Sequence, residues 1–176
     1  MENNSSVLDS DIVKVDKYEP HKIANGKNDA TFFVASDDID MADLQRYRQE
    51  TQTEYLIAIT TTNKDYDCLK LADNVILCSP NEVQLVMQAF QLLHSGSGII
   101  GMDWNEVKWA ISSGRNIEFL HGMASGENCV ALACEQLIPK LKNLSSNYPI
   151  KNVMINMYAD ISFGCEQQDF IIQQID

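Results

Sequence analysis

The segment Asp37-Asp38-Ile39-Asp40-Met41-Ala42-Asp43 gathers four carboxylates immediately after an apolar run, Thr31-Phe32-Phe33-Val34-Ala35. Carboxylates at the carboxyl end of a strand in an open α/β sheet, here Asp37, Asp38 and Asp40, are placed to bind magnesium, which would then recruit phosphate. The structural alternative is that Asp40 caps the next helix, that negative charge in its first turn suits the helix dipole, and that the other carboxylates stay in water. A second acidic pair, Asp103 and Glu106 in Asp103-Trp104-Asn105-Glu106, has the D-x-x-E spacing that satisfies free N–H groups at a helix start. The turn Gly122-Met123-Ala124-Ser125-Gly126 precedes a helical pattern, so it either packs closely or, with Ser125 as cap, receives an anion. Packing is the preferred reading. His21, His94 and His121 are far apart and have no Cys or carboxylate at metal-ligand spacing, so they make no metal site. Cys68, Cys78, Cys129, Cys134 and Cys165 are odd in number and lack a CxxC pair, which argues for reduced core residues rather than a disulfide framework. No Ser/His/Asp or Cys/His set suggests nucleophilic catalysis.

The elements that must position these groups follow from apolar periodicity. Residues 1–28 are rich in Asn, Ser, Asp and Lys, and this composition predicts a mobile polar tail. The runs Thr31–Ala35, Tyr55–Ile59 and Val75–Cys78 are continuous rather than alternating, as in parallel strands covered on both faces. Met41, Leu44 and Tyr47 recur at helical spacing after the acidic segment. Ser79, Pro80 and Glu82 predict a capped helix start, with Val83, Val86, Met87, Phe90 and Leu93 on its inner face and Gly96 and Gly98 ending it. A further helix runs from Asp103 to Gly114, followed by a strand at 116–120. Val130, Ala133, Cys134, Leu137, Ile138 and Leu141 define the most regular helix, which Pro139 should end or kink, with Ser145 and Asn147 in the loop beyond. A last strand is predicted at 151–159 and a last helix at 167–175. The class is α/β.

The stretch from Gly98 to Ile175 resembles FtsZ, the bacterial cell-division GTPase of the tubulin superfamily. Residues 98–107 are similar to the family's loop "GLMNVDFADV", residues 122–128 to its "GxASGED" turn, and Lys151-Asn152-Val153-Met154-Ile155-Asn156-Met157-Tyr158-Ala159 to its strand "GVLVNITAG". Gln167-Gln168-Asp169-Phe170 stands where the next helix of the family begins. Upstream, residues 30–36 resemble the strand before the phosphate loop, and residues 80–95 resemble a shortened central helix. The resemblance implies a reduced tubulin/FtsZ-like fold: a parallel sheet flanked by helices, then a central helix leading to a small C-terminal α+β lobe. Its divisions would be a tail at 1–28, a degenerate nucleotide-binding-like lobe at 29–97 and a truncated C-terminal-like lobe at 98–176.

By the same resemblance, Asp103 matches the family's first catalytic acid and Glu106 replaces the second, while Gly101 stands where the family has Asn. The phosphate loop "GGGTGTG" is replaced by residues 37–43, which contain no glycine. A carboxylate about 4 Å from a phosphate charge costs about 4 kcal/mol at an effective dielectric of 20, so a bare nucleotide should be rejected. The resemblance therefore implies an FtsZ-like protein without a functional GTP site, acting by protein–protein interaction in cell division or filament regulation. Its enzyme-class alternative is a GTPase whose GTP or GDP site is completed by magnesium or a partner subunit. Trp104, Asp103 and Glu106 are then interface candidates, since the family's loop works across a filament contact. Trp104 and Trp109, five residues apart, cannot share a helix face, so one packs and the other is exposed.

Composition sets the outer bounds. The 176 residues carry a formal net charge of −12, whose field repels nucleic acid and anionic lipid. No apolar run is long enough to span a bilayer and the first 28 residues lack a signal-peptide core, so the expected location is cytoplasmic. The expected partners are an FtsZ-type filament or a second copy, because the family's later strands are absent and the exposed edge invites homo-oligomerisation.

Overall fold

The computed structural model describes residues 14–92, 104–157, 159 and 164–175. The chain divides into two compact units, residues 1–118 and 119–176. This boundary falls later than the 97/98 division expected from sequence.

The first unit is built on five parallel strands in the order β1-β2-β3-β4-β5: Val15–Lys17, Ala30–Val34, Tyr55–Thr60, Asn74–Leu77 and Asn116–Glu118. As the continuous apolar runs predicted, β3 is buried along nearly its whole length. Alternate side chains leave the sheet on opposite faces. Phe33, Leu56 and Ala58 on one face join Tyr18, Leu44, Tyr47, Cys68 and Ala72 in one cluster. That face is covered by α1 (Met41–Glu50) and by a short 3-10 turn at Asp67–Leu71. The opposite face presents Phe32, Ile57, Ile59 and Ile76, each buried. Here α2 (Val83–Leu92) sets Phe90 4.9 Å from the Phe32 ring, and α3 (Trp104–Ser112) adds buried Val107 and Ile111. Each large apolar side chain removed from water contributes about 1.5–3 kcal/mol. Three-layer packing of this kind therefore fixes which ends of the strands face solvent.

One local expectation changes in this unit. Residues 14–28 are not a polar tail: they supply the edge strand β1 and the buried Tyr18, because one aromatic and a ladder to β2 compensate for the polar composition. Residues 1–13 lie outside the described residues. The capping box expected at Ser79 is present, with Glu82 Oε2 accepting from both the Ser79 N–H at 2.9 Å and its hydroxyl at 2.6 Å.

The second unit contains α4 (Cys129–Asn147) and α5 (Cys165–Ile175), which are in contact. Pro139 neither ends α4 nor displaces Ser145 and Asn147 into a loop; the helix continues through both. Pro139 lacks the N–H that would reach the Glu135 carbonyl, but Glu135 is exposed, so water can replace it. Residues 151–157 form no strand. Gly122 lies where a Cβ would meet the Ala133 carbonyl oxygen at 2.8 Å and Leu137 Cγ at 2.9 Å, so this turn packs on α4. Gln136 reinforces it by accepting from the Met123 N–H and donating to its carbonyl, at 3.2 and 3.0 Å.

Candidate functional site

In an open α/β sheet the carboxyl ends of the strands are the usual place for a ligand, most often where the strand order reverses. Among the described residues the order is strictly sequential, so it contains no reversal. The segments following β2 and β3 at their carboxyl ends are instead tied to each other. Lys64 donates to Asp37 Oδ2 at 2.5 Å and lies 4.8 Å from the Tyr66 ring centroid. This hydrogen bond raises the Lys64 pKa above its ordinary value. Cys68 Sγ reaches the Ser36 carbonyl at 3.6 Å, and the Thr60 hydroxyl donates to the Thr62 carbonyl at 2.8 Å.

The acidic segment divides into separate jobs. Asp40 is the N-cap of α1, its Oδ1 accepting the N–H groups of Ala42 at 2.8 Å and Asp43 at 3.2 Å. Asp38 is exposed, and Asp37 faces Lys64. Among the described residues no group of three or more His, Cys, Asp or Glu is arranged to hold a metal ion. Asp43 supplies the negative charge expected in the first turn of α1, but its side chain turns inward rather than to solvent. It is 8% exposed and accepts the Tyr18 hydroxyl at 2.6 Å, the His21 N–H at 3.2 Å and Arg46. The Tyr18 and His21 bonds, with the Arg46 charge, hold Asp43 below the ordinary carboxylate pKa.

The second candidate loop is only partly within view. Asp103 and Gly101 lie outside the described residues. Trp104 opens α3 half-buried, its ring edge-on to Tyr55 at 6.0 Å, while Glu106 lies exposed in the first turn. Trp109 is 70% exposed, which matches the reading that the two tryptophans divide between packing and surface. Ser125 does not cap α4: Asn128 is the N-cap, at φ 65° and without a side-chain capping bond.

A cavity of about 280 Å³ lies at the opposite, amino end of the sheet, lined by Tyr55, Asp73, Asn74, Ile111, Gly114 and Arg115. Its polar groups serve the fold. Asp73 Oδ2 accepts from Arg48 and from the Leu56 N–H, both at 2.7 Å. Asn74 donates to the Ile111 and Gly114 carbonyls at 2.8 and 3.0 Å. Arg115 donates to the Leu69 carbonyl at 2.5 Å.

Sequence reasoning missed the pairs Tyr18–Asp43 and Tyr47–Asp16 and the role of Asn74. The available signal was a polar residue at a strand start and Tyr47 at an apolar helical position, both of which need a partner when buried. No family model matches the chain, and neither curated proteins nor solved structures give a significant match.

Proposed function

We propose that the chain is a degenerate FtsZ-like protein that has given up its nucleotide and acts through protein–protein contacts, in cell division or filament regulation. The observation that carries this reading is the Asp40 carboxylate on the Ala42 and Asp43 N–H groups at the start of α1. Helix-terminal N–H groups are what a phosphate would use, and here a fixed anion already satisfies them. The sequential strand order supports the same reading, as does the Asp37–Lys64 pair beside that helix start. Protein contact is supported by surface character. In residues 119–176 Met123, Leu132, Tyr148, Val153, Phe170 and Ile172 are exposed, and Cys134 is the buried apolar residue among those described. Exposed apolar groups at this density suit an interface with a filament or with a second copy.

Sedimentation of polymerising FtsZ with and without the chain tests the filament-directed reading. Co-pelleting or a change in polymer mass is the expected result; neither would remove it. Calorimetry with GTP and GDP plus magnesium tests the loss of nucleotide. Micromolar binding would overturn this reading in favour of a GTPase completed by metal or a partner.

A further inference from the structure

We propose that residues 14–27 are a latched strap that opens as a unit, uncovering the outer edge of β2 while Asn28 and Asp29, bonded to Thr51 and Tyr55, and the β2–β3–β4 sheet stay folded. The strap comprises β1 and most of the connection to β2. Its strand is three residues long and, among the described residues, lies at the sheet edge and pairs with β2 alone. Around that ladder the Tyr18 N–H donates to the Phe32 carbonyl at 2.7 Å, and Asp29 and Ala30 donate to the Lys14 carbonyl at 2.9 and 3.2 Å. Apolar burial adds little, since Tyr18 is its one buried hydrophobic side chain and Ile23 is 86% exposed.

What holds the strap is a reciprocal pair of tyrosine–carboxylate bonds to α1. Tyr47 of α1 donates its hydroxyl to Asp16 of β1 at 2.6 Å, and Tyr18 of the strap donates to Asp43 of α1 at 2.6 Å. Each segment thus gives one tyrosine and one carboxylate, and the two rings meet edge to face at 5.3 Å. Neither bond survives displacement of the strap, so both break in one event.

The charged surroundings complete the latch. Asp16 also accepts from Lys22 Nζ at 2.6 Å and the Lys17 N–H at 2.7 Å, while Lys17 pairs with Glu19. Around Asp43 stand Tyr18, His21 and Arg46, with Asp40 acting on Tyr18 and Glu50 on Arg46. Burial pushes the Asp16 pKa up, but the bonds from Lys22, Tyr47 and Lys17 and the Lys22 charge outweigh it and hold it below the ordinary value. With both carboxylates depressed, the latch is at full strength above the ordinary carboxylate range and weakens as pH falls through the folded-state values. By contrast, the neighbouring β2–β3 and β3–β4 ladders rest on fully buried Phe33, Leu56, Ile57, Ala58 and Ile59.

Native-state hydrogen exchange on the full chain, comparing the parent with Tyr47→Phe and Tyr18→Phe, tests the strap. Each variant keeps the ring and deletes one hydroxyl, so packing is preserved. A hydrogen bond to a charged group corresponds to about tenfold or more in an opening constant. The amides of Tyr18, Asp29 and Ala30 should therefore lose about tenfold protection in each variant and about a hundredfold in the double variant. Those of Ala35 and Cys78, bonded to Ile59 and Thr60, should be unchanged. Equal loss at all five amides would show that the strap opens only with the whole sheet and would overturn the proposal. So would unchanged protection at Tyr18, Asp29 and Ala30 in both variants. Should either variant prove globally unstable, the parent alone decides: its amides at Tyr18, Asp29 and Ala30 must exchange through a smaller, less denaturant-sensitive opening than those of Ala35 and Cys78.

Discussion

Replacing Asn74 by Ala should detach the end of α3 from the sheet at a cost that can be worked out from three atoms. Asn74 is 3% exposed, and its side-chain amide gives one hydrogen to the Ile111 carbonyl at 2.8 Å and the other to Gly114 at 3.0 Å. Both carbonyls lie at or just beyond the last turn of α3, where no following turn supplies N–H partners. In Asn74→Ala the Ile111 carbonyl, on a residue 3% exposed, loses its donor without gaining water, which costs about 1–3 kcal/mol. The half-buried Gly114 carbonyl regains water and forfeits a net bond of about 1 kcal/mol. The sum is about 2–4 kcal/mol. At this chain length 1 kcal/mol shifts Tm by about 2–4 °C, so the midpoint should fall by at least about 4 °C. Urea unfolding followed by circular dichroism should show a lower midpoint with an unchanged slope. Asn74→Asp separates the donor from the shape: it keeps the size, removes both hydrogens and sets a carboxylate against two carbonyl oxygens. It should be at least as destabilising as Ala. A loss under about 0.5 kcal/mol for Asn74→Ala, or an Asp variant as stable as the parent, would refute the claim that this amide fastens α3.

Four further outcomes follow from the same geometry. Gly122→Ala drives a Cβ to 2.8 Å from the Ala133 carbonyl oxygen, and the backbone movement needed should cost about 1–3 kcal/mol, read as a lower urea midpoint for residues 119–147. Asp40→Ala removes the α1 cap and should cost about 1 kcal/mol, whereas Asp40→Gly should cost only a few tenths, a difference measurable by thermal unfolding. Burial and then the facing carboxylates raise the Tyr18 and Tyr47 pKa values above the ordinary 10.0. Their stabilising contribution is therefore complete below pH 10 and lost as pH rises through the folded-state values, so an ultraviolet titration should show both ionising late and together with unfolding. In the native protein a thiol reagent should modify exposed Cys165 first, while Cys68, Cys78 and Cys134, whose thiol pKa values burial pushes up, should react only in denaturant.

Much of the scaffold was legible because it depends on near neighbours. The apolar run Tyr55–Ile59 could only be covered on both faces, and it became the buried strand β3. Asp40 lay one residue before a helical pattern, and it became the cap. Misreadings arose where a distant contact outweighed local preference. Composition marked residues 14–28 as tail, but Tyr18 found a pocket on the cluster beneath α1. Pro139 signalled a helix end, but the helix continues through it at a place where Glu135, four residues earlier, is exposed to water. The candidate site behaved likewise: Asp40 was legible as the cap, but the inward turn of Asp43 to Tyr18 and the pairing of Asp37 with Lys64 were not.

The sequence by itself determined an α/β chain with parallel strands, a capped α1 after an acidic segment and no phosphate-binding glycines there. Only the tertiary structure decided that Asp43 turns inward to Tyr18, that Asp16 receives Tyr47, and that Asn74 holds the end of α3. The physical reason is range. Caps and apolar periodicity act over a few residues, whereas these bonds join positions 25, 31 and 37 residues apart. Such partners are selected by strand order and face, which no local pattern encodes.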